Sequence, residues 1–326
     1  MSLSIQNLSV GYRQQTILSG IHLTAAEGEL VALIGRNGTG KSTLMRTLAR
    51  LQPRLDGVVL LSGKPTQHFS KTEWAEQLSI VSTDAVGASY LTVRQLVAFG
   101  RFPYTNWLGK LTVQDLLKVD EALQLVGIAH LAHKNLHETS DGERQRAMIA
   151  RTLAQDTGII LLDEPTAFLD MPNKYELVWL LHRLTRERRK TIVFSTHDLN
   201  IAMQGADKLW LIAENNICEG APEDLALNGQ FNSIFAGSNL NFDDTNGEFL
   251  IRYHQTTPIA LAGEGKTAFW TRKALERNGY VVKSGDTSQN EPLSVSVSSD
   301  DPIRWTLTKN GQTTNFDSIL KMMDEL

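Results

Sequence analysis

With 326 residues, 41% of them hydrophobic and 21% charged, the chain is long and apolar enough for about two domains with buried cores. A formal net charge of -4 excludes a global attraction for nucleic acid or for an anionic membrane surface, so any phosphate binding must be local. The one cysteine, Cys218, excludes an internal disulfide, fits a reducing compartment, and reads as an inert structural thiol.

The start, Met1 to Gln6, has neither the basic residues nor the apolar stretch of a signal peptide, and no apolar run approaches the about 18–20 residues that cross a bilayer. Work at a membrane would therefore need a docking partner. Leu30 to Ile34 is a short continuous apolar run, the pattern of a strand covered on both faces. A glycine-rich loop follows, then a helix with Leu44, Leu48 and Leu51 on one stripe. Val58 to Leu61 reads as a strand, Glu121 to Gly127 and Arg144 to Ala154 as helices, and Ile159 to Leu162 and Thr191 to Phe194 as buried strands. This alternation predicts an α/β domain around a largely parallel sheet.

Around Asn239 the texture turns polar, and Asn241 to Gly247 reads as a linker between a domain at 1–238 and a smaller one at 247–326. In the second, Pro258 to Ala262 predicts a strand and Ala268 to Arg277 a helix, and Leu293 to Val297 alternates with period two. Trp305–Thr308 and Thr313–Phe316 flank Asn310-Gly311, a type I′ hairpin signal, before a last helix through Ile319 and Met323. The pattern is that of a small C-terminal α+β domain.

The loop Gly35-Arg36-Asn37-Gly38-Thr39-Gly40-Lys41-Ser42, followed by Thr43, matches the phosphate-loop pattern in its required context, after a strand and opening a helix. Its glycines let backbone N–H groups curl toward phosphate oxygens, and the helix N-terminus adds partial positive charge. Lys41 supplies a full charge to the β- and γ-phosphates, and the Ser42 hydroxyl suits Mg²⁺. Several kinds of NTPase share this loop. Farther on, the strand Ile159 to Leu162 ends on Asp163 and Glu164, a costly arrangement unless a cation is met there. Asp163 suits Mg²⁺, and Glu164 suits the general base that polarises the attacking water, a role worth about 10²–10⁴-fold.

The neighbours of these acids resemble the ABC transporter ATPase family, from about Leu3 to about Gly237. Thr139-Ser140-Asp141-Gly142-Glu143-Arg144-Gln145-Arg146 looks like the family's signature segment, Ala167 to Asp170 like the D-loop, and Ser195-Thr196-His197-Asp198 like the switch-histidine segment. The resemblance implies a P-loop NTPase fold with a RecA-like core and a helical subdomain, binding ATP and Mg²⁺. It implies that Ser140 and the N–H of Gly142 meet the γ-phosphate held by an opposite subunit, where any other residue at 142 would push a Cβ toward it. His197 would report the γ-phosphate, and Asp170 would lie at the nucleotide. Tyr12 either stacks on adenine or is an ordinary exposed aromatic near a turn. Two departures stand out. The usual Leu-Ser-Gly-Gly is here Thr139-Ser140-Asp141-Gly142, and where the family places a glutamine this chain has Thr83, or Asp84 if the loop is shifted. Either can offer an oxygen ligand.

Leu91-Thr92-Val93 leading to Val97–Tyr104 resembles the importers of iron–siderophores, haem and cobalamin. That likeness implies a homodimer of ATPase subunits on the cytoplasmic face of the inner membrane, beneath an integral-membrane permease fed by a substrate-binding protein. Phe102, Tyr104 and Trp107 either form that interface or fill a local core. The rival class is a soluble ABC ATPase of DNA repair or translation, disfavoured by a single cassette and a net negative charge without nucleic-acid character. The smaller domain carries no catalytic motif and reads as regulatory. His130, His133 and His137 read as a solvated helix end rather than a metal site, Gly263 to Thr267 as a turn, and Arg186 to Lys190 as a solvated helix end.

Overall fold

Leu30–Ile34 is buried at every position, so its strand must lie inside a sheet covered on both faces. The computed structural model, which describes all residues except 14, 83–90, 214–215, 236, 245, 285–291 and 299–301, builds outward from that strand. The chain opens with an antiparallel pair, β1 (Leu3–Tyr12) and β2 (Gln15–Ala25), then β3 (Leu30–Ile34), the glycine-rich loop and α1 (Lys41–Leu48). Next come β4 (Asp56–Leu61), β5 (Lys64–Pro65), α2 (Lys71–Gln77) and β6 (Leu78–Val81). A helical stretch follows: α3 (Val93–Ala98), α4 (Val113–Leu125) and α5 (Asp141–Ala154). The chain returns to the sheet through β7 (Ile159–Leu162), α6 (Met171–Arg188), β8 (Thr191–Thr196), α7 (Leu199–Gly205), β9 (Lys208–Ala213) and β10 (Asn216–Gly220), and then α8 (Pro222–Leu227) and α9 (Gln230–Ile234).

Among the described residues the main sheet has the order β10-β9-β3-β8-β7-β6, parallel except for β10 on its edge. A second sheet, β2-β1-β4-β5, is antiparallel. Leu33, Val31, Trp210 and Leu161 of the main sheet share one buried cluster with Leu3, Ile5 and Leu23 of the second and with Leu44 of α1. The starts of α2, α3, α4 and α5 share one sequence device. Ser70, Thr92, Thr112 and Ser140 each accept a hydrogen bond from the backbone N–H three residues on, and the side chain there accepts one from the cap's own N–H. The reciprocal pair between Thr112 and Asp115 explains why α4 begins at Val113, eight residues before the Glu121 start expected from apolar periodicity.

The helical stretch is pinned by a buried ion pair. Arg101 and Asp115 are 2.9 Å apart, and Arg101 also donates to the Ala154 carbonyl at the end of α5. Gly100 lies so close to α5 that a Cβ there would come within 2.1 Å of the Arg151 carbonyl oxygen.

Past α9 come β11 (Leu240–Asp243) and β12 (Glu248–Ile251), which pair, so the expected linker is a hairpin rather than an extended tether. The chain ends with β13 (Thr257–Ala262), α10 (Gly265–Arg277), β14 (Tyr280–Ser284), β15 (Leu293–Val297), β16 (Trp305–Lys309), β17 (Gln312–Phe316) and α11 (Ile319–Asp324). The fold separates into two compact units, Met1–Ala236 with Asp244–Glu248, and Gly237–Asp243 with Phe249–Leu326. The second unit has a sheet ordered β14-β13-β15-β16-β17, with Ile259, Leu275, Val295, Trp305, Leu307 and Met322 at its core. Asn310 and Gly311 both have positive φ, 52° and 80°, as a type I′ turn requires between β16 and β17.

Candidate active site

The parallel order places three neighbouring strands, β3, β8 and β7, with their C-terminal ends together. That end of an α/β sheet is where helix N-termini and connecting loops converge on ligands. The phosphate loop leaves β3, Asp163 and Glu164 leave β7, and His197 follows β8.

In the loop, Gly38 and Gly40 hold φ of 82° and 101°, backbone that a side chain would strain. A Cβ on Gly40 would also approach Ile17 to 2.8 Å. No side chain caps α1 at Gly40, so its first N–H groups are not taken up by a capping side chain and have the helix dipole behind them. Ser42 is exposed in that first turn. Arg36, Asn37 and Gly38 are exposed at the loop tip, and Thr39 is braced by its hydroxyl donating to the Arg36 carbonyl at 2.8 Å. Lys41 is buried: its Nζ donates to the Gly35 carbonyl at 2.8 Å and lies 3.8 Å from Glu164 Oε1. Burial pushes the Lys41 ammonium below its ordinary value, against the pull of Glu164 and Asp163 in the other direction.

Asp163 is buried, and its N–H continues the ladder by donating to the Val81 carbonyl at 2.9 Å. Its Oδ1 accepts the Ser195 hydroxyl proton at 2.7 Å. Glu164 adopts a left-handed backbone, φ 47°, and donates its N–H to Ser195 Oγ at 2.8 Å. His197 Nδ1 is 3.4 Å from Glu164 Oε2. Lys41, Asp163, Glu164, Ser195 and His197 thus form one contiguous polar cluster. The Ser42 hydroxyl and the Asp163 carboxylate are hard oxygen donors of the kind Mg²⁺ takes, and among the described residues no basic side chain is bonded to the buried Asp163, so the donor set fits that ion. Among the described residues no group of three or more histidine, cysteine, aspartate or glutamate side chains forms a metal cluster of its own.

Tyr12 projects from the end of β1, 56% exposed, with its hydroxyl 3.3 Å from Thr43 Oγ1 on α1. Asp170 caps α6, accepting from the Asn173 N–H at 3.1 Å and from its side-chain amide at 2.6 Å. Ser140 caps α5 in reciprocal bonding with Glu143, whose carboxyl is held below the ordinary range by the Ser140 N–H. Gly142 has an ordinary helical backbone, and a Cβ there would find nothing nearer than Asn173 at 3.7 Å. Among the described residues nothing requires glycine at that position. Asp141 projects beside it and pairs with Arg144 at 3.5 Å.

Other expectations meet mixed outcomes. Thr83 and Asp84 lie outside the described residues. Phe102 and Trp107 are 55% and 91% exposed, so neither fills a local core. Tyr104 divides the two readings: its ring lies under Arg101 and its hydroxyl donates to the Gln155 carbonyl. The basic run after Arg186 is less solvated than expected, because Arg186, Arg188 and Lys190 pair with Asp207, Glu121 and Asp156. The histidines fall on short 3₁₀ turns at Ala129–Leu131 and Leu136–Glu138 and around them, not on one helix. Of the turn expected over Gly263 to Thr267, only Gly263 and Glu264 precede the helix, and Gly265 to Thr267 are already the first residues of α10. Sequence reading placed Ser195 in the switch-histidine segment but gave it no role at the two acids. Its neighbourhood becomes visible only when β8 is set beside β7.

Comparison with known proteins supplies the lineage. Residues 18–167 match the family model described as ABC transporter, and residues 256–326 match the iron ABC transporter C-terminal domain. An uncharacterized ABC transporter ATP-binding protein of Methanocaldococcus jannaschii is 37% identical over 286 residues, covering 87% of this chain and 99% of that protein. The ferric enterobactin transport ATP-binding protein of Escherichia coli K12 is 37% identical over 240 residues, 73% of this chain and 89% of its own. Among solved structures, a metal-chelate type ABC transporter in an inward-facing conformation superposes with a TM-score of 0.65 at 25% identity, covering 76% of this chain and 95% of that one.

Proposed function

This chain belongs to the ABC transporter ATP-binding family, and from that premise we propose that it is the ATP-hydrolysing motor of an importer for an iron chelate. The observation that carries the chelate class is the second unit, whose residues 256–326 resemble the iron ABC transporter C-terminal domain. The names of relatives at 37% identity and above, ferric enterobactin and petrobactin transport among them, support the same class and differ in the chelate. No described helix is long and apolar enough to cross a membrane. The importer therefore needs a separate permease, with this chain peripheral on the cytoplasmic side and the chelate delivered by an external binding protein.

The chain's own residues account for hydrolysis in a dimer. The N–H groups of the phosphate loop and Lys41 hold the β- and γ-phosphates of ATP. Ser42 and Asp163 would hold Mg²⁺, which supplies charge neutralisation between those phosphates. Glu164 accepts the proton of the attacking water, and His197, placed against Glu164, hydrogen-bonds the γ-phosphate. Ser140 and Gly142 of the second copy close over the nucleotide. Within their own subunit a Cβ at Gly142 would make only ordinary contacts, to Asn173 and Leu169, so the glycine there is not demanded by local packing. Contacts made through the γ-phosphate exist with ATP and vanish with ADP, so the dimer closes and reopens once per cycle. Exposed Phe102 and Trp107 lie on the stretch that would meet the permease.

The test is to tag the chain, purify it from native membranes in mild detergent, and identify what accompanies it. A polytopic permease supports the importer. Ribosomes, DNA or only soluble chains would overturn it in favour of the soluble class. We also assign the second unit a regulatory role. Cutting the chain after Asn239 should alter ATPase rate, dimerisation or uptake, and no change in all three would refute the assignment.

A further inference from the structure

We infer that Ser195 is a positioning residue that locks the two acids of the β7 end into one geometry. This inference rests on the hydrolytic roles proposed above for Asp163 and Glu164.

The backbone pairing of β7 with β8 ends at Leu162 opposite Phe194. One step further, the serine side chain replaces the ladder. Ser195 is fully buried, and its Oγ accepts the Glu164 N–H at 2.8 Å while donating to Asp163 Oδ1 at 2.7 Å. A hydroxyl has one proton, and here the N–H can only be accepted, so that proton points at the carboxylate. The chain Glu164 N–H to Ser195 O–H to Asp163 carboxylate has a single sense.

Two consequences follow from that order. Oδ1 of Asp163 is tied to β8, which restrains the plane of the carboxylate and leaves Oδ2 as the oxygen available to a ligand. The Glu164 backbone, at φ 47°, is held in a region that residues with a Cβ rarely adopt. Two residues beyond Ser195, His197 meets the other end of Glu164 at its carboxylate. The end of β8 therefore grips Glu164 by its backbone through Ser195 and by its carboxylate through His197. An aliphatic residue at 195 would remove the bonds to the Asp163 carboxylate and the Glu164 N–H and leave Glu164 gripped only at its carboxylate.

The test compares Ser195→Thr with Ser195→Val, a pair of nearly equal volume that differs in the hydroxyl, so any packing cost at this buried site is common to both. Ser195→Thr is expected to retain kcat within a few-fold of the parent. Ser195→Val is expected to lose about 10–100-fold in kcat, the usual range for a residue orienting a metal ligand, with the KM for ATP little changed. A second readout does not depend on turnover. Mn²⁺ titrated into the ADP-bound protein and followed by electron paramagnetic resonance should bind about 10-fold more weakly to Ser195→Val than to Ser195→Thr. Equal kcat and equal Mn²⁺ affinity in the two variants would overturn the inference. Glu164→Gln serves as the control: if it hydrolyses ATP like the parent, the hydrolytic reading of the site falls, and not the positioning role alone.

Discussion

The two ends of the ATPase unit that carry its phosphate-binding motifs are built differently. At the sheet end, each functional group is already held by another: Lys41 by Gly35 and Glu164, Asp163 by Ser195, Glu164 by Ser195 and His197. At the start of α5, Ser140 and Glu143 cap each other, and a side-chain Cβ at Gly142 would meet Asn173 and Leu169 only at ordinary contact distance. A group constrained by its own fold is ready before ligand arrives. A glycine that its own fold does not need must answer to something outside the subunit. The contrast is what the proposed division of the site between two copies would look like from within one of them.

Mixing subunits tests this contrast most severely. Lys41→Ala and Gly142→Ala should each lower ATPase activity by about 10²-fold or more as homodimers, since the first removes a charge facing the phosphates and the second sets a methyl where the γ-phosphate of the other copy would come. Mixed together, the two inactive variants form heterodimers with one site doubly damaged and the other intact. Steady-state hydrolysis should then reappear. If the mixture stays inactive, the two ends do not meet across a dimer. Gly142→Ala should also leave thermal stability within about 0.5 kcal/mol of the parent, because its new methyl meets nothing closer than ordinary contact.

A smaller effect, on stability alone, sharpens the contrast from the structural side. Asp115→Asn strips the charge facing buried Arg101, and denaturant unfolding should show a loss of about 3 kcal/mol near neutral pH. Hydrogen bonds from Thr112, with Arg101 adding its charge, hold the Asp115 carboxyl below its ordinary value despite burial. A lowered folded value means stability that is complete above the ordinary carboxylate range and lost as pH falls through the depressed one. The parent and Asp115→Asn should therefore converge on acidification. Divergence at low pH would show that this pair is not what the acid limb reports. The smallest effect is expected at Tyr12. Tyr12→Phe should leave ATP affinity nearly unchanged, and Tyr12→Ala should weaken it by about 2–10-fold if the ring stacks on adenine. A large loss in Tyr12→Phe would assign the role to the hydroxyl near Thr43 instead.

What could be read from sequence follows the range of the interactions. The phosphate loop, the strand before the acids and the hairpin turn at Asn310-Gly311 are set by residues within a few positions, and the strands Leu30–Ile34, Ile159–Leu162 and Leu293–Val297 fall where their apolar or alternating runs place them. The start of α4 escaped because apolar periodicity cannot see a polar cap, although Thr112 and Asp115 stand at capping-box spacing in plain view. The polar segment after Asn239 pairs as β11 and β12, and turn-rich composition alone does not separate a hairpin from a tether. The pairing of Arg186, Arg188 and Lys190 depends on acids from 21 to 67 positions away in sequence. Ser195 needs the register of β8 on β7, which no local pattern carries.

The left-handed backbone at Glu164 has a consequence for how this chain would age. Conformation alone favours glycine or asparagine at φ 47°, by on the order of 1 kcal/mol, so chemistry and folding pull in opposite directions at this one codon. In a duplicated copy released from the demand for hydrolysis, Glu164→Gly or Glu164→Asn would relieve the backbone cost while giving up the contacts to Lys41 and His197. Such a descendant would still carry an intact phosphate loop, and its loss of turnover would be written in a single exchanged acid.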